Sequence, residues 1–153
     1  MTDISTSLKW NGELKFTGHN AKGFETDFDG NTQTSPSPME VLLESVGSCS
    51  AIDVVLILQK MREPLTGVEV KLDGDRQAVE PRYFHTIRAR FDLWGELSAE
   101  KVERAINLSF SKYCSVFHSL RSDLKLFAEF RLHSQNTTAA GEYVSLAITP
   151  QPE

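Results

Sequence analysis

The chain is poor in cysteine and histidine, and it concentrates positive charge nowhere. Cys49 and Cys114 are the only 2 cysteines in 153 residues, too few and too far apart for a disulfide framework or a zinc site. The 4 histidines are scattered, and the nearest approach to a metal set, Cys114 with His118, offers only two ligands. Neither a metal nor a cofactor is expected. Lys and Arg number 16 against 21 Asp and Glu, for a formal charge of −5. The basic residues form no run, so the footprint of nucleic acid or anionic lipid is missing. Long apolar runs are absent too. The longest, Val54 to Leu58, is far below a membrane-spanning length, and "MTDISTSLKWNGEL" has no basic segment followed by an apolar one. No nucleic acid and no membrane are expected as partners, and the reading is cytoplasmic. In that reducing compartment the cysteines are either inert core thiols or a redox pair.

What is present suits one domain with a real core, since 40% of the residues are apolar. Ile4, Leu8, Trp10, Leu14 and Phe16 alternate with polar residues around Asn11-Gly12, a hairpin signature. Phe24, Thr26 and Phe28 continue the period of two as far as Asp29-Gly30, which predicts a third strand. Val68, Val70 and Leu72 alternate with Glu69, Lys71 and Asp73, and the odd positions Tyr83, His85, Ile87, Ala89, Phe91 and Leu93 form the apolar phase of a strand that pairs with them. Ser98 caps a helix whose inward positions are Val102, Ala105, Ile106, Ser109 and Tyr113, with Cys114 at its end. A last long strand turns Leu124, Leu126, Ala128, Phe130 and Leu132 inward. Residues 135–153 are polar and then alternate at Val144, Leu146 and Ile148. They read as an appendage: an edge strand, an arm onto a partner chain, or a loose tail.

Between the meander and the second group of strands, Ser37-Pro38-Met39-Glu40 supplies an N-cap, a proline at the first helical position and a capping-box glutamate. The helix runs to about Met61 and is apolar nearly all round, which makes it central. Inside it, "ESVGSCSAID" surrounds Cys49 with Ser45, Gly47, Ser48, Ser50 and Ala51, all small. Small side chains let other backbone approach closely, and they leave room beside a sulfur.

"SPMEVLLESVGSCSAIDVV" and "SKYCSVFHSL" resemble the corresponding segments of the OsmC/Ohr family, and within it the small OsmC-like proteins of the YhfA type. The likeness spans roughly residues 5 to 133, including "PRYFHTIRARFDL" and the spacing between the cysteine segments. It implies an α+β OsmC-like fold, with curled antiparallel sheets around long central helices in an intertwined homodimer, over residues 1–134, with 135–153 as a C-terminal extension. It also implies chemistry. Cys49 takes the position of a peroxidatic cysteine that reduces an organic hydroperoxide or hydrogen peroxide, in oxidative stress defence. Cys114 takes that of the resolving cysteine. A dithiol, lipoyl in relatives of the Ohr type, restores both.

The family pattern includes an arginine after the first strands and a glutamate just behind the helix-start proline. Here Met39 follows Pro38, with Glu40 one residue later, and no arginine precedes Arg62. Lys22 in "GHNAKGFE" is the nearest cation in the expected loop, and it lacks the planar fork of arginine. Asp53, one helical turn beyond Cys49, opposes a thiolate unless it binds the missing cation, for which Arg62, Arg88, Arg121 or a partner-chain residue are candidates. His118, four residues after Cys114, is a candidate for assisting thiol exchange. Glu40, Asp53, His118 and Lys22 are therefore the candidate supporting residues around Cys49 and Cys114. His85, in the apolar phase of its strand, reads as a core histidine. Two functions stay open: a thiol-dependent peroxidase, or an OsmC-fold dimer with weak or no peroxidase activity that binds an apolar ligand or handles another electrophile or thiol.

Overall fold

The computed structural model describes residues 2–136 and 141–148. The chain divides between Leu42 and Leu43 into two compact units.

The first unit is a three-stranded antiparallel sheet, β1 (Thr6–Trp10), β2 (Lys15–Asn20) and β3 (Glu25–Asp29), paired in sequence order. The expected hairpin closes at Asn11-Gly12, where Lys15 N–H donates to the Gly12 carbonyl at 3.0 Å and Gly12 takes φ 94°. After β3, buried Asp29 accepts from the backbone N–H of Asn31, Gln33 and Thr34 at 2.8 to 3.1 Å. These N–H groups, Asn31 foremost, hold its carboxyl below the usual carboxylate range. Leu8, Trp10, Leu14 and Phe24 stay more than half exposed.

Helix α1 (Pro38–Lys60) starts here and supplies the rest of its length to the second unit. Its capping box forms: Ser37 N–H and Oγ donate to Glu40 Oε2 at 2.8 and 2.9 Å, and Glu40 N–H returns to Ser37 Oγ at 3.3 Å. By length and composition α1 is long and apolar enough to cross a membrane, a property that the short runs within it conceal. One stripe, Val46, Gly47, Ser50, Val54 and Leu58, is buried, whereas Ile52 and Leu56 stay more than half exposed.

The second unit carries a four-stranded sheet in the order β4 (Gly67–Arg76), β5 (Phe84–Trp94), β6 (Lys125–His133), β7 (Val144–Leu146). Between β5 and β6 the chain runs through α2 (Ala99–Leu108), a π-helical turn (Ser109–Tyr113) and α3 (Ser115–His118). Phe91, Phe110, Phe130, Ile87, Leu93, Ile106 and Leu58 form the sealed core, each contributing about 1.5–3 kcal/mol by burial. Gly47 lets α1 lie close on the sheet: a Cβ there would stand 2.3 Å from Leu72 Cδ1. At least one of the small residues around Cys49 therefore serves helix-on-sheet packing.

Three expectations are corrected. Among the described residues, β5 and β6 pair in parallel while the other strand pairs are antiparallel; the helical connection carries the chain back to the end of the sheet from which β5 started. The second helix does not run unbroken to Tyr113 but widens into the π turn after Leu108. His85 is exposed rather than core: Asp75 pairs with Thr86 and Arg76 with Phe84, so His85 is the extra residue of a bulge that flips the inward phase. Of the C-terminal extension, residues 144–146 take the edge-strand alternative. Tyr143 hydroxyl donates to Asp92 at 2.7 Å, and the guanidinium groups of Arg90 and Arg131 stand 4.6 and 4.2 Å from its ring centre. Residues 137–140 and 149–153 lie outside the described ones.

Candidate functional site

Both cysteines lie in the second unit. Cys49 is carried by α1 and is partly exposed, and Cys114 is fully buried where the π turn meets α3. The local sequence explains the second placement. Ser98 caps α2, accepting from Lys101 N–H at 3.4 Å, and Val102, Ala105 and Ile106 bury its inner stripe. After Leu108 the hydrogen-bond step lengthens to five, and Cys114 N–H closes it onto the Ser109 carbonyl at 2.7 Å. Consecutive Ser109 and Phe110 are then both buried. Cys114 itself is extended and caps α3, its Sγ accepting from Phe117 N–H at 3.4 Å.

The Cys114 thiol has the Val46 carbonyl 4.0 Å away, and Cys49 is near enough to act on it electrostatically. Burial pushes the Cys114 thiol up to about 12. The Phe117 N–H opposes this, and Cys49 and the negative charge of Asp53 add to it. Whatever thiolate the pair carries near neutral pH is therefore not on Cys114, which fits the residue for receiving attack products rather than for starting the chemistry.

Near the cysteines Asp53 belongs to a polar trio whose other two members, Ser50 and Ser109, are outside the sequence-based set. Ser109 Oγ donates to Asp53 Oδ2 at 2.8 Å and stands 2.9 Å from Ser50 Oγ; Ser50 and Ser109 are fully buried. The one signal available in the sequence was a serine at an inward position of α2, in line with Val102, Ala105 and Ile106. Asp53 also lines an open groove of about 740 Å³ with Leu56, Ile57, Met61, Leu108 and Tyr113. Cys49 stands one helical turn back along α1, outside that lining.

Within the second unit Asp53 thus stands near the cysteine pair, and the His118 ring does not reach it. His118 meets Cys114 only through its backbone N–H, at 3.0 Å from the Cys114 carbonyl, and its exposed ring lies edge-on to Phe117. Glu40 and Lys22 belong to the first unit, where Glu40 is held by its capping box and Lys22 is exposed in the turn after β2. Two of the proposed cations are engaged elsewhere: Arg88 with Asp75 at 2.7 Å, and Arg121 with Asp123 at 2.8 Å and over the Tyr83 ring. Arg62 is exposed just beyond the C-terminus of α1. Among the described residues, no three His, Cys, Asp or Glu side chains converge on a metal position.

Comparison with known proteins places this arrangement. Residues 29–127, which contain both cysteines, match the family model of the OsmC-like proteins. Protein YhfA of Escherichia coli strain K12 is 42% identical over 139 residues, 90% of this chain and 100% of that protein. A hypothetical protein from Aquifex aeolicus VF5 superposes with a TM-score of 0.80 at 28% identity, over 88% of this chain and 99% of that one. An organic hydroperoxide resistance protein from Legionella pneumophila shares the fold, with a TM-score of 0.64 at 10% identity over 85% and 97% of the two chains. The chain, with its thiol pair between the long helix and the π turn, belongs to the OsmC-like protein family.

Proposed function

We propose that this protein is a thiol-dependent peroxidase that reduces organic hydroperoxides, with Cys49 as the peroxidatic and Cys114 as the resolving residue, in defence against oxidative stress. The observation that carries the reading is a partly exposed Cys49 on α1 beside a buried, protonated Cys114 thiol that feels its charge. The Cys49 thiolate attacks the outer hydroperoxide oxygen. The O–O bond breaks, the alkoxide takes a proton and leaves as alcohol, and Cys49 becomes a sulfenic acid. Cys114 then displaces the sulfenic hydroxyl, its own proton leaving with that hydroxyl as water, and a Cys49–Cys114 disulfide forms. A dithiol, lipoyl in the first instance, returns both residues to thiols and is itself oxidised to a disulfide.

The reading includes a homodimer in the cytoplasm. The support for the dimer is the apolar surface that each unit leaves uncovered, with Leu8, Trp10 and Phe24 in one and Ile52 and Leu56 in the other.

A second reading has its own support. Arg88 and Arg121 are paired away from the cysteines, and the groove beside Asp53 is mostly apolar. These favour a dimer that binds an apolar ligand or handles another electrophile or thiol. Rates of organic hydroperoxide consumption with a lipoyl dithiol separate the two. The peroxidase reading expects Cys49→Ser to abolish turnover. It expects Cys114→Ser to keep the first oxidation and lose dithiol-driven cycling. Equal consumption by the parent and Cys49→Ser contradicts it.

A further inference from the structure

Ser109 has two attachments that no other residue combines in the described site. Its carbonyl closes the π turn on Cys114 N–H at 2.7 Å, and its side chain reaches α1 at Asp53 and Ser50, 2.8 and 2.9 Å away. A hydroxyl has one proton to give and two lone pairs. The carboxylate is the stronger acceptor and takes that proton, leaving the Ser109 oxygen to accept from Ser50. Both serines are sealed from solvent, so water cannot substitute for either bond. Ser50 is the residue after Cys49, and Asp53 lies one turn beyond it. A single buried residue thus ties the backbone of one cysteine to the helix that carries the other.

We propose that Ser109 is the positioning residue of the thiol pair: gripped by Asp53 and Ser50, it anchors the π turn so that Cys114 faces Cys49, and disulfide closure depends on that anchor. The inference rests on reading the two cysteines as a redox pair. With the anchor removed, the segment carrying Cys114 samples more conformations in the dithiol form and must give them up on closure, so the effective concentration of one thiol at the other falls. A contact that only stabilised the fold would weaken the dithiol and disulfide forms alike and leave the closure equilibrium unchanged.

That equilibrium is measurable without any hydroperoxide. Glutathione disulfide accepts attack by the Cys49 thiolate, releasing one glutathione and leaving a mixed disulfide. Cys114 then displaces the second glutathione, so one glutathione disulfide and two protein thiols become one protein disulfide and two glutathiones. The closed fraction of the full chain is read by mass spectrometry across a series of glutathione buffers. Ser109→Ala should lower the closure constant by about tenfold, equivalent to about 1.4 kcal/mol. Asp53→Asn, which keeps an acceptor oxygen and loses the charge, should lower it by roughly threefold, and it provides the test if Ser109→Ala does not fold. Closure constants of the folded variants within twofold of the parent overturn the proposal, as does a parent that forms no Cys49–Cys114 disulfide in these buffers. A parent that closes, responds to Ser109→Ala and is inert to hydroperoxide supports the anchor and removes the peroxidase reading. Hydroperoxide turnover with closure indifferent to Ser109 does the opposite.

Discussion

At the scale of single residues the two cysteines are unequal by construction. Cys114 is buried, and its thiol is pushed up to about 12. At pH 8 Cys114 is therefore held as the thiol, and its burial keeps reagents away. Iodoacetamide at pH 8 should therefore modify Cys49 and leave Cys114 untouched until the chain is unfolded, as peptide mapping will reveal. Labelling of both at similar rates in the folded protein contradicts the burial assigned to Cys114. The same raised value links to stability. The folded state keeps a proton that an unfolded thiol releases from about pH 8.5 upward. This contribution is complete below that pH and is lost as pH rises toward 12. Of the site, the sequence made Cys49, Cys114 and Asp53 legible, the first two through a family motif and the third through helical spacing. Ser109 stands among apolar neighbours on the inward stripe, where a serine usually only fills space. His118 has the right spacing from Cys114 for one face of a helix, but Cys114 is the extended N-cap of α3, so only the backbone bond between them forms and the ring turns to Phe117.

At the scale of elements, local chemistry decides most boundaries. The Ser37–Glu40 box, the Asn11-Gly12 turn and the Ser98 cap all form where their residue types require them. Long-range events were not legible. A bulge at His85 and a parallel β5–β6 pairing depend on what lies across the sheet, and a π turn differs from an α turn by one hydrogen-bond step that no residue type encodes. Gly95, between β5 and α2, tests the local geometry. Its φ is 131°, and an added Cβ would stand 2.3 Å from the Pro64 carbonyl oxygen, a backbone atom with little freedom to yield. Gly95→Ala should destabilise the protein by about 2 kcal/mol, lowering the melting temperature by roughly 5 °C. An unchanged melting temperature would mean that this connection is looser than described.

For the molecule as a whole, the polar framework is built on carboxylates held below their usual range. Asp29 is held by backbone N–H groups, Asp75 by Arg88, Asp123 by Arg121, and Glu63 by Lys101 and the Ser98 N–H. Burial works against Asp92, and His133, Tyr143 and Arg131 outweigh it. Each lowered carboxyl makes the unfolded chain the better proton binder in acid, so stability rises with pH there. The contributions are complete above the unfolded carboxylate range, about pH 4, and are lost as pH falls through the lower folded values. Urea midpoints should hold between pH 7 and 5 and drop steeply below 4. Asp29→Asn should shallow that drop. A midpoint indifferent to pH between 5 and 3 would contradict the framework.

The proposed chemistry requires the two sulfurs to react with one another, and one stoichiometric measurement reaches that directly. The reduced protein receives one equivalent of an organic hydroperoxide at neutral pH, free thiols are counted over time, and the peptides are mapped by mass spectrometry. Rapid loss of two thiols per chain with a Cys49–Cys114 peptide linkage is the predicted result. Persistence of both thiols, or oxidation of Cys49 with Cys114 left free, contradicts it.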